Sequence, residues 1–266
     1  MVAVLTSFDG RHILALTAAV PCCLFAKHVW DIYTRIRPVE KRRIAVVGGI
    51  SNNFKQSNSL KGLVNPRDHV IFGDAYLTDL SLPHNIAAQD ATDEILLAAF
   101  IRGFFAGKVF AIERNLLQAA RVIFVSYSDI GLDTTTKSVW ETSELSPTSL
   151  PSPHSILFGT FQVSHVEVQD PGNFPQVHKK TESSIDFVFG GDKTQFAGSH
   201  RFSVTRDPKR AGEVRILYEH MACNPTMNQP LKPDLLLHFH NFYAMLLFRE
   251  GVAEVMQVLG RDPHVQ

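Results

Sequence analysis

From Leu157 to Ala222 apolar and polar residues tend to alternate with a period of two. The runs LFGTFQVSHVEV, SSIDFVFGG, TQFAGSHRFSVTR and GEVRILYEHMA each have strand length and predict successive antiparallel strands. Upstream, HVIFGDAYLTDLSL (residues 69–82) alternates in the same way and predicts one more strand. Between these lies DEILLAAFIRGFFAGKVFAIERNLLQAARVIF, long and very apolar, which predicts a buried helix. Asp90 or Thr92 can cap it, and Asp93 and Glu94 then sit in its first turn. Gly103 and Gly107 are four residues apart, which allows a close backbone approach, a kink or a break into two helices. NPTMNQPLKP, with three prolines, closes the strand region. DLLLHFHNFYAMLLFREGVAEVMQVLG predicts a final long helix, with Asp234 as its cap after Pro233. Residues 133–154 are rich in Ser, Thr and Pro and read as a surface connection.

Strand runs separated from helices indicate an α+β fold. The order predicts a curved antiparallel sheet wrapped on a long C-terminal helix, a helix-grip arrangement, with additional N-terminal helices. One such domain accounts for residues 42–266, after an N-terminal segment 1–41. A sheet that cannot close on one helix leaves an apolar cavity, and such cavities hold small ligands.

The stretch AGSHRFSVTRDPKRAGEVRILYEHM, residues 197–221, predicts a hairpin around DPKRAG. Pairing Asp207 with Glu213 sets Val204 opposite Ile216, Phe202 opposite Tyr218 and His200 opposite His220. Side chains two apart on a strand share a face. An apolar sheet face therefore carries two facing histidines and a tyrosine. In an apolar pocket a neutral imidazole can donate a hydrogen bond to a carbonyl or move a proton. The competing reading is a buried, internally satisfied pair, and a register slip of one residue would turn both outward.

ILALTAAVPCCLFA, residues 13–26, is apolar and uncharged, and a basic flank with Trp30 and Tyr33 follows it. Its length falls short of the roughly twenty residues that span a bilayer. Three readings fit: a marginal anchor over residues 13–33 holding the body on the cytosolic face of a membrane such as the endoplasmic reticulum, a cleaved secretory signal, or an amphipathic helix packed on the domain. Asp9 upstream weakens the signal reading.

The 266 residues are 45% apolar and carry 26 basic and 26 acidic side chains. This balance argues against a nucleic-acid partner, which would call for a basic excess. Three cysteines, two of them adjacent, give no disulfide framework and no zinc spacing, consistent with a reducing compartment. RRIAVVGGISNN is not a dinucleotide fingerprint and reads as a short buried segment ending in a glycine turn. The chain contains no nucleophile elbow, no HExxH and no phosphate loop. The expectation is a protein without cofactor or metal.

Further candidates line up with the same cavity. His165 and Glu167 share a strand face, and Asp186, between Ile185 and Phe187, is expected on the solvent face. His238 and His240 form an HFH pair that cannot share a metal, because residues two apart on a helix point about 200° apart. His240 and Tyr243 share a face and, with Leu247, can line the cavity; His238, Phe242, Met245 and Arg249 form a second stripe. Arg102 interrupts the apolar helix and can hold a substrate carboxylate or pair internally with Glu113.

SHRFSVTR followed by a helix carrying FHNFYAMLLFREGVAEVMQ resembles the end of a family of uncharacterised helix-grip proteins related to the START and polyketide-cyclase superfamily. His200, Tyr243 and Arg249 stand at comparable places, and HVIFGDAYLTDL is similar to that family's first strand. The resemblance covers roughly the last two-thirds of the chain. The overall look is similar to accessory proteins of fungal natural-product pathways, among them cyclases, pericyclases such as Diels–Alderases, and isomerases. It implies a cofactor-independent cyclase or isomerase for a hydrophobic polyketide or terpenoid intermediate. On the reading of the residues themselves, the facing histidines on an apolar face, His200, His220 and Tyr218 would be catalytic, and Phe202, His165, His240, Tyr243 and Arg102 would line the substrate. Two alternatives are a non-catalytic lipid or sterol carrier and an interaction protein with a filled core.

Overall fold

The computed structural model describes residues 10–83, 91–130, 136–169, 180–210, 212–232 and 234–260, with the backbone course alone for 10–21 and 234–238. The predicted α+β class holds. An eight-stranded sheet runs in the order β1-β2-β8-β7-β6-β5-β4-β3, antiparallel except for the β3–β4 pair. Its strands are β1 Ala45–Gly48, β2 Ile71–Ser81, β3 Ser138–Val139, β4 Ile156–Leu157, β5 Phe161–Glu167, β6 Thr181–Gly190, β7 Ala197–Arg206 and β8 Glu213–Cys223. The helices are α1 Gly10–Ile36, α2 Asn52–Lys55, α3 Asp93–Ala106, α4 Ala111–Ala120 and α5 Asp234–Val258.

The hairpin register matches the alternation: His200 pairs with His220, Phe202 with Tyr218 and Val204 with Ile216. Its turn uses Gly212 at φ +85°, a conformation that glycine adopts without strain. The start of RRIAVVGGISNN differs from expectation. It forms an edge strand, not a buried one: Val46 and Val47 are 55% and 48% exposed, because β1 has a neighbour on one side alone. Gly49 then turns the chain at φ +87°, and Ser51 caps α2 through the Phe54 N–H at 3.2 Å.

Both faces of the sheet are covered. On one face α3 and α5 lie side by side over Ile185, Phe187, Phe202, Val204 and Tyr218. On the other, α2 and a π-turn at Ser59–Val64 place Phe54, Leu60 and Val64 over Val188, Ala197 and Met221. This second layer corrects the expectation for Asp186, which is fully buried rather than solvent-facing. Arg201 of the neighbouring strand grips it with two bonds, Nε to Oδ1 at 2.6 Å and Nη2 to Oδ2 at 2.8 Å. Ser59 Oγ donates a third bond at 2.6 Å. Glu219, cross-strand from Arg201, accepts from Ser51 N at 2.5 Å and Ser51 Oγ at 3.0 Å.

Thr92 caps α3, accepting from Ile95 N at 3.3 Å; Asp90 and the Asp234 cap fall outside the described side chains. The glycine pair does two things. Gly103 lets α3 touch α5 backbone to backbone: a Cβ there would lie 2.6 Å from Glu250 O and 2.8 Å from Gly251 Cα. After Gly107 the chain bends by 76° into α4. Glu250, fully buried, fastens this corner by accepting the N–H groups of Lys108 and Val109 at 2.6 and 2.7 Å. Arg114 caps the end of α3, donating to Phe105 O and Gly107 O at 2.8 and 2.9 Å.

α1 packs its C-terminal end on the core beside α5 through Ile32, an Arg35–Glu254 ion pair, and Arg249, which donates to the Ile36 and Val39 carbonyls. Among the described residues, no single helix is long and apolar enough to cross a membrane.

Three outcomes test this packing. Arg201→Ala leaves Asp186 buried without its ion-pair partner, and should cost about 3–5 kcal/mol in denaturant unfolding. Arg215→Ala, at a partly exposed pair with Asp79, should cost under about 1 kcal/mol. Alanine for glycine inside a helix ordinarily gains about 0.5–1 kcal/mol. Gly103→Ala should instead lose about 1–3 kcal/mol, because the new methyl meets backbone that cannot swing away.

Candidate functional site

Ladder pairing sets a row of side chains across the helix-covered face. Asp74 of β2 pairs with His220 of β8, His220 with His200 of β7, and His200 with Phe187 of β6. Directly paired residues share a face, so these four point the same way. The next row on that face is Tyr76, Tyr218 and Phe202. α5 crosses above β2 and β8, and its first turns bring His240 over the row, with the His220 and His240 ring centroids 3.9 Å apart.

Two hydrogen bonds organise the cluster. Tyr218 Oη and His200 Nδ1 are 2.9 Å apart, with the proton's position set by the imidazole tautomer. Tyr76 Oη donates to Asp74 Oδ2 at 2.8 Å, and the Tyr76 and Tyr218 rings stack at 5.7 Å. Asp74 Oδ1 faces His220 Nδ1 at 3.6 Å, too far for a hydrogen bond. Asp74 Oδ1, His220 Nδ1 and His240 Nε2 are all buried and have no hydrogen-bond partner. Asp74 and His220 are only 5% and 3% exposed, whereas His240 and Phe72 beside it are half-buried.

Burial dominates the electrostatics. It holds the His200 imidazole well below its ordinary pKa, and charge on His220 and His240 would lower it further. His240 is lowered to about 4, by burial first and His220 second, against the opposing pull of Asp74. Tyr218 and Tyr76 are raised, by burial first and then by the Asp74 charge. At neutral pH His200 and His240 are uncharged and both phenols keep their protons.

The predicted residues divide. His200, His220 and Tyr218 come together, and His240 joins them. Phe202 sits behind them, packed between the rings of Phe100, Phe104 and Phe187 at 4.9–5.6 Å. These interlocked rings fill the space where an apolar cavity was expected between sheet and helix. α3 rather than the terminal helix lies over the sheet centre, and its phenylalanines take up that volume.

The other candidates lie elsewhere. His165 pairs with Asp186, on the face turned away from His200, and sits 3.7 Å from Glu167. Tyr243 points to α4 and donates to Glu113 at 3.2 Å, so Glu113 is Tyr243's partner rather than Arg102's. Arg102 is exposed and lines a cleft of about 770 Å³ with Arg35, Lys108 and Glu250. Phe242 is 64% exposed, Met245 is buried in the core, and the His238 side chain is outside the described residues.

Asp74 and Tyr76 were missed. The signal was present, because Asp74 alternates with Phe72, Tyr76 and Leu80, which puts a carboxylate in the apolar phase of its strand.

No family model, no curated protein and no solved structure matches this chain.

Tyr218→Phe removes the only polar partner that His200 Nδ1 has among the described residues. It should cost about 1–3 kcal/mol of stability in denaturant melts. A change within about 0.5 kcal/mol would mean that the bond is absent in solution.

Proposed function

We propose that this chain is an isomerase or cyclase acting on a hydrophobic, carbonyl-bearing small molecule of polyketide or terpenoid type. One observation carries the reading. Three buried polar atoms, Asp74 Oδ1, His220 Nδ1 and His240 Nε2, converge without hydrogen-bond partners in an otherwise aromatic surround. Each such atom costs roughly 1–3 kcal/mol when left unsatisfied, and folded proteins keep few of them. A cluster of three is accounted for if a bound molecule completes it.

The chemistry follows from the surroundings. A carbonyl oxygen that reaches the cluster past His240 and Phe72 is polarised there, which loosens a proton on the neighbouring carbon. An uncharged imidazole can take that proton and return it at another carbon, the work of an isomerase. Phe72 and Phe189, packed against His220 at 5.8 and 6.0 Å, keep water from competing. His200 and Tyr218 act as positioning residues one ring deeper. The sheet with its long C-terminal helix supports a helix-grip ancestry. The exposed Leu24, Phe25, Trp30 and Tyr33 of α1 would suit attachment to the cytosolic face of a membrane, where such substrates partition.

The test is native mass spectrometry of the full chain purified from a fungal host, followed by exposure of the protein to deuterated water. The expected result is one hydrophobic carbonyl compound, with deuterium entering next to its carbonyl on the wild type and not on His220→Ala. A mixture of ordinary membrane lipids, or a compound that takes up no deuterium, would contradict the reading.

A further inference from the structure

We propose that Asp74, His220 and His240 form a binding site for one divalent transition-metal ion, of the zinc or ferrous class. The binding claim needs nothing from the isomerase reading; the use of the ion described below rests on it.

The donor atoms come from three elements, β2, β8 and α5, so no short motif marks them. One ligand atom from each residue lies within 4.8 Å of the other two. Two ligands about 2.1 Å from a tetrahedral ion sit about 3.4 Å apart. Asp74 Oδ1 and His220 Nδ1 are already at 3.6 Å. All three atoms are buried and without hydrogen-bond partners, so no existing hydrogen bond must break for them to bind, and the His240 ring, its centroid 3.9 Å from that of His220, must swing outward to reach a tetrahedral ion.

The outer partners fit as well. Tyr76 Oη bonds Asp74 Oδ2, which fixes the carboxylate and leaves Oδ1 turned inward, as supporting residues do around metal ligands. His200 stays outside the set because its Nδ1 is engaged by Tyr218. Two imidazoles with one carboxylate suit a borderline transition ion rather than calcium or magnesium, which prefer all-oxygen shells. Three protein ligands leave a coordination position open, the pattern of catalytic rather than structural sites. One carboxylate leaves the site with a net positive charge. A substrate carbonyl oxygen in the open position would be polarised more strongly than by an imidazole alone. This proposal departs from the expectation of a metal-free protein.

The experiment uses the full chain without a histidine tag, stripped with a chelator and titrated with zinc and with cobalt(II). Wild type should bind about one equivalent, raise its melting temperature and give visible cobalt bands of a four- or five-coordinate ion. His240→Ala, at a half-buried position, should fold as judged by circular dichroism and weaken binding by about 100-fold or more. His165→Ala, on the far face, should bind as wild type does. Wild-type binding well below one equivalent, or unchanged binding by folded His240→Ala, would overturn the proposal. Neither result depends on turnover, so a failed metal site and a failed isomerase reading are separable.

Discussion

The register of β2, β8 and β7 is the constraint on which the rest depends. It lays two polar rows back to back across the sheet. On the helix-covered face run Asp74, His220 and His200; on the other run Glu219, Arg201 and Asp186. A slip of one residue would exchange the faces, drive Arg201 among the phenylalanines and leave the histidines under α2. The turn resists such a slip, since Asp207 accepts from both Lys209 N and Arg210 N and Gly212 takes the left-handed conformation. The Arg201–Asp186 pair resists it more strongly, because a buried charge separated from its partner is expensive.

The two rows differ in how they are satisfied, and that difference separates scaffold from site. Asp186 and Glu219 both find partners: a bidentate guanidinium, two serine hydroxyls and a backbone N–H. The guanidinium also lies 4.7 Å from the Phe54 ring. Such a network fixes a structure and has little capacity left for a ligand. The row on the helix face is half-finished. Tyr76 and Tyr218 satisfy one atom each of Asp74 and His200, and three converging atoms are left over. Completing that set is what a ligand or ion would do.

Much of this was legible in the sequence. Period-two alternation located the main strands, and the DPKRAG turn set the register that places His200 opposite His220. The glycines at 103 and 107 announced the helix crossing and the corner. Other features were not legible, for definite reasons. Alternation tells which residues share a face but not what covers it, so Asp186 read as solvent-facing until α2 and the π-turn were placed over it. Periodicity does not say which helix lies over the sheet centre, so α3's phenylalanines filled a volume expected to be empty. His240 meets His220 only through tertiary packing. Asp74 could have been found, since a carboxylate in phase with Phe72, Tyr76 and Leu80 has no reason to be there for solubility.

The most direct test of the account is the proximity of the imidazole rings in solution. The measurement is a nuclear Overhauser spectrum of the chain with its histidine rings isotopically labelled. Ring centroids at 3.9 Å for His220–His240 and 5.2 Å for His200–His220 predict cross-peaks within both pairs and none from either pair to His165. Cross-peaks linking His200 with His220 alone would leave the hairpin intact but remove α5 from the cluster. That result would contradict the convergence on which both the proposed chemistry and the metal site depend.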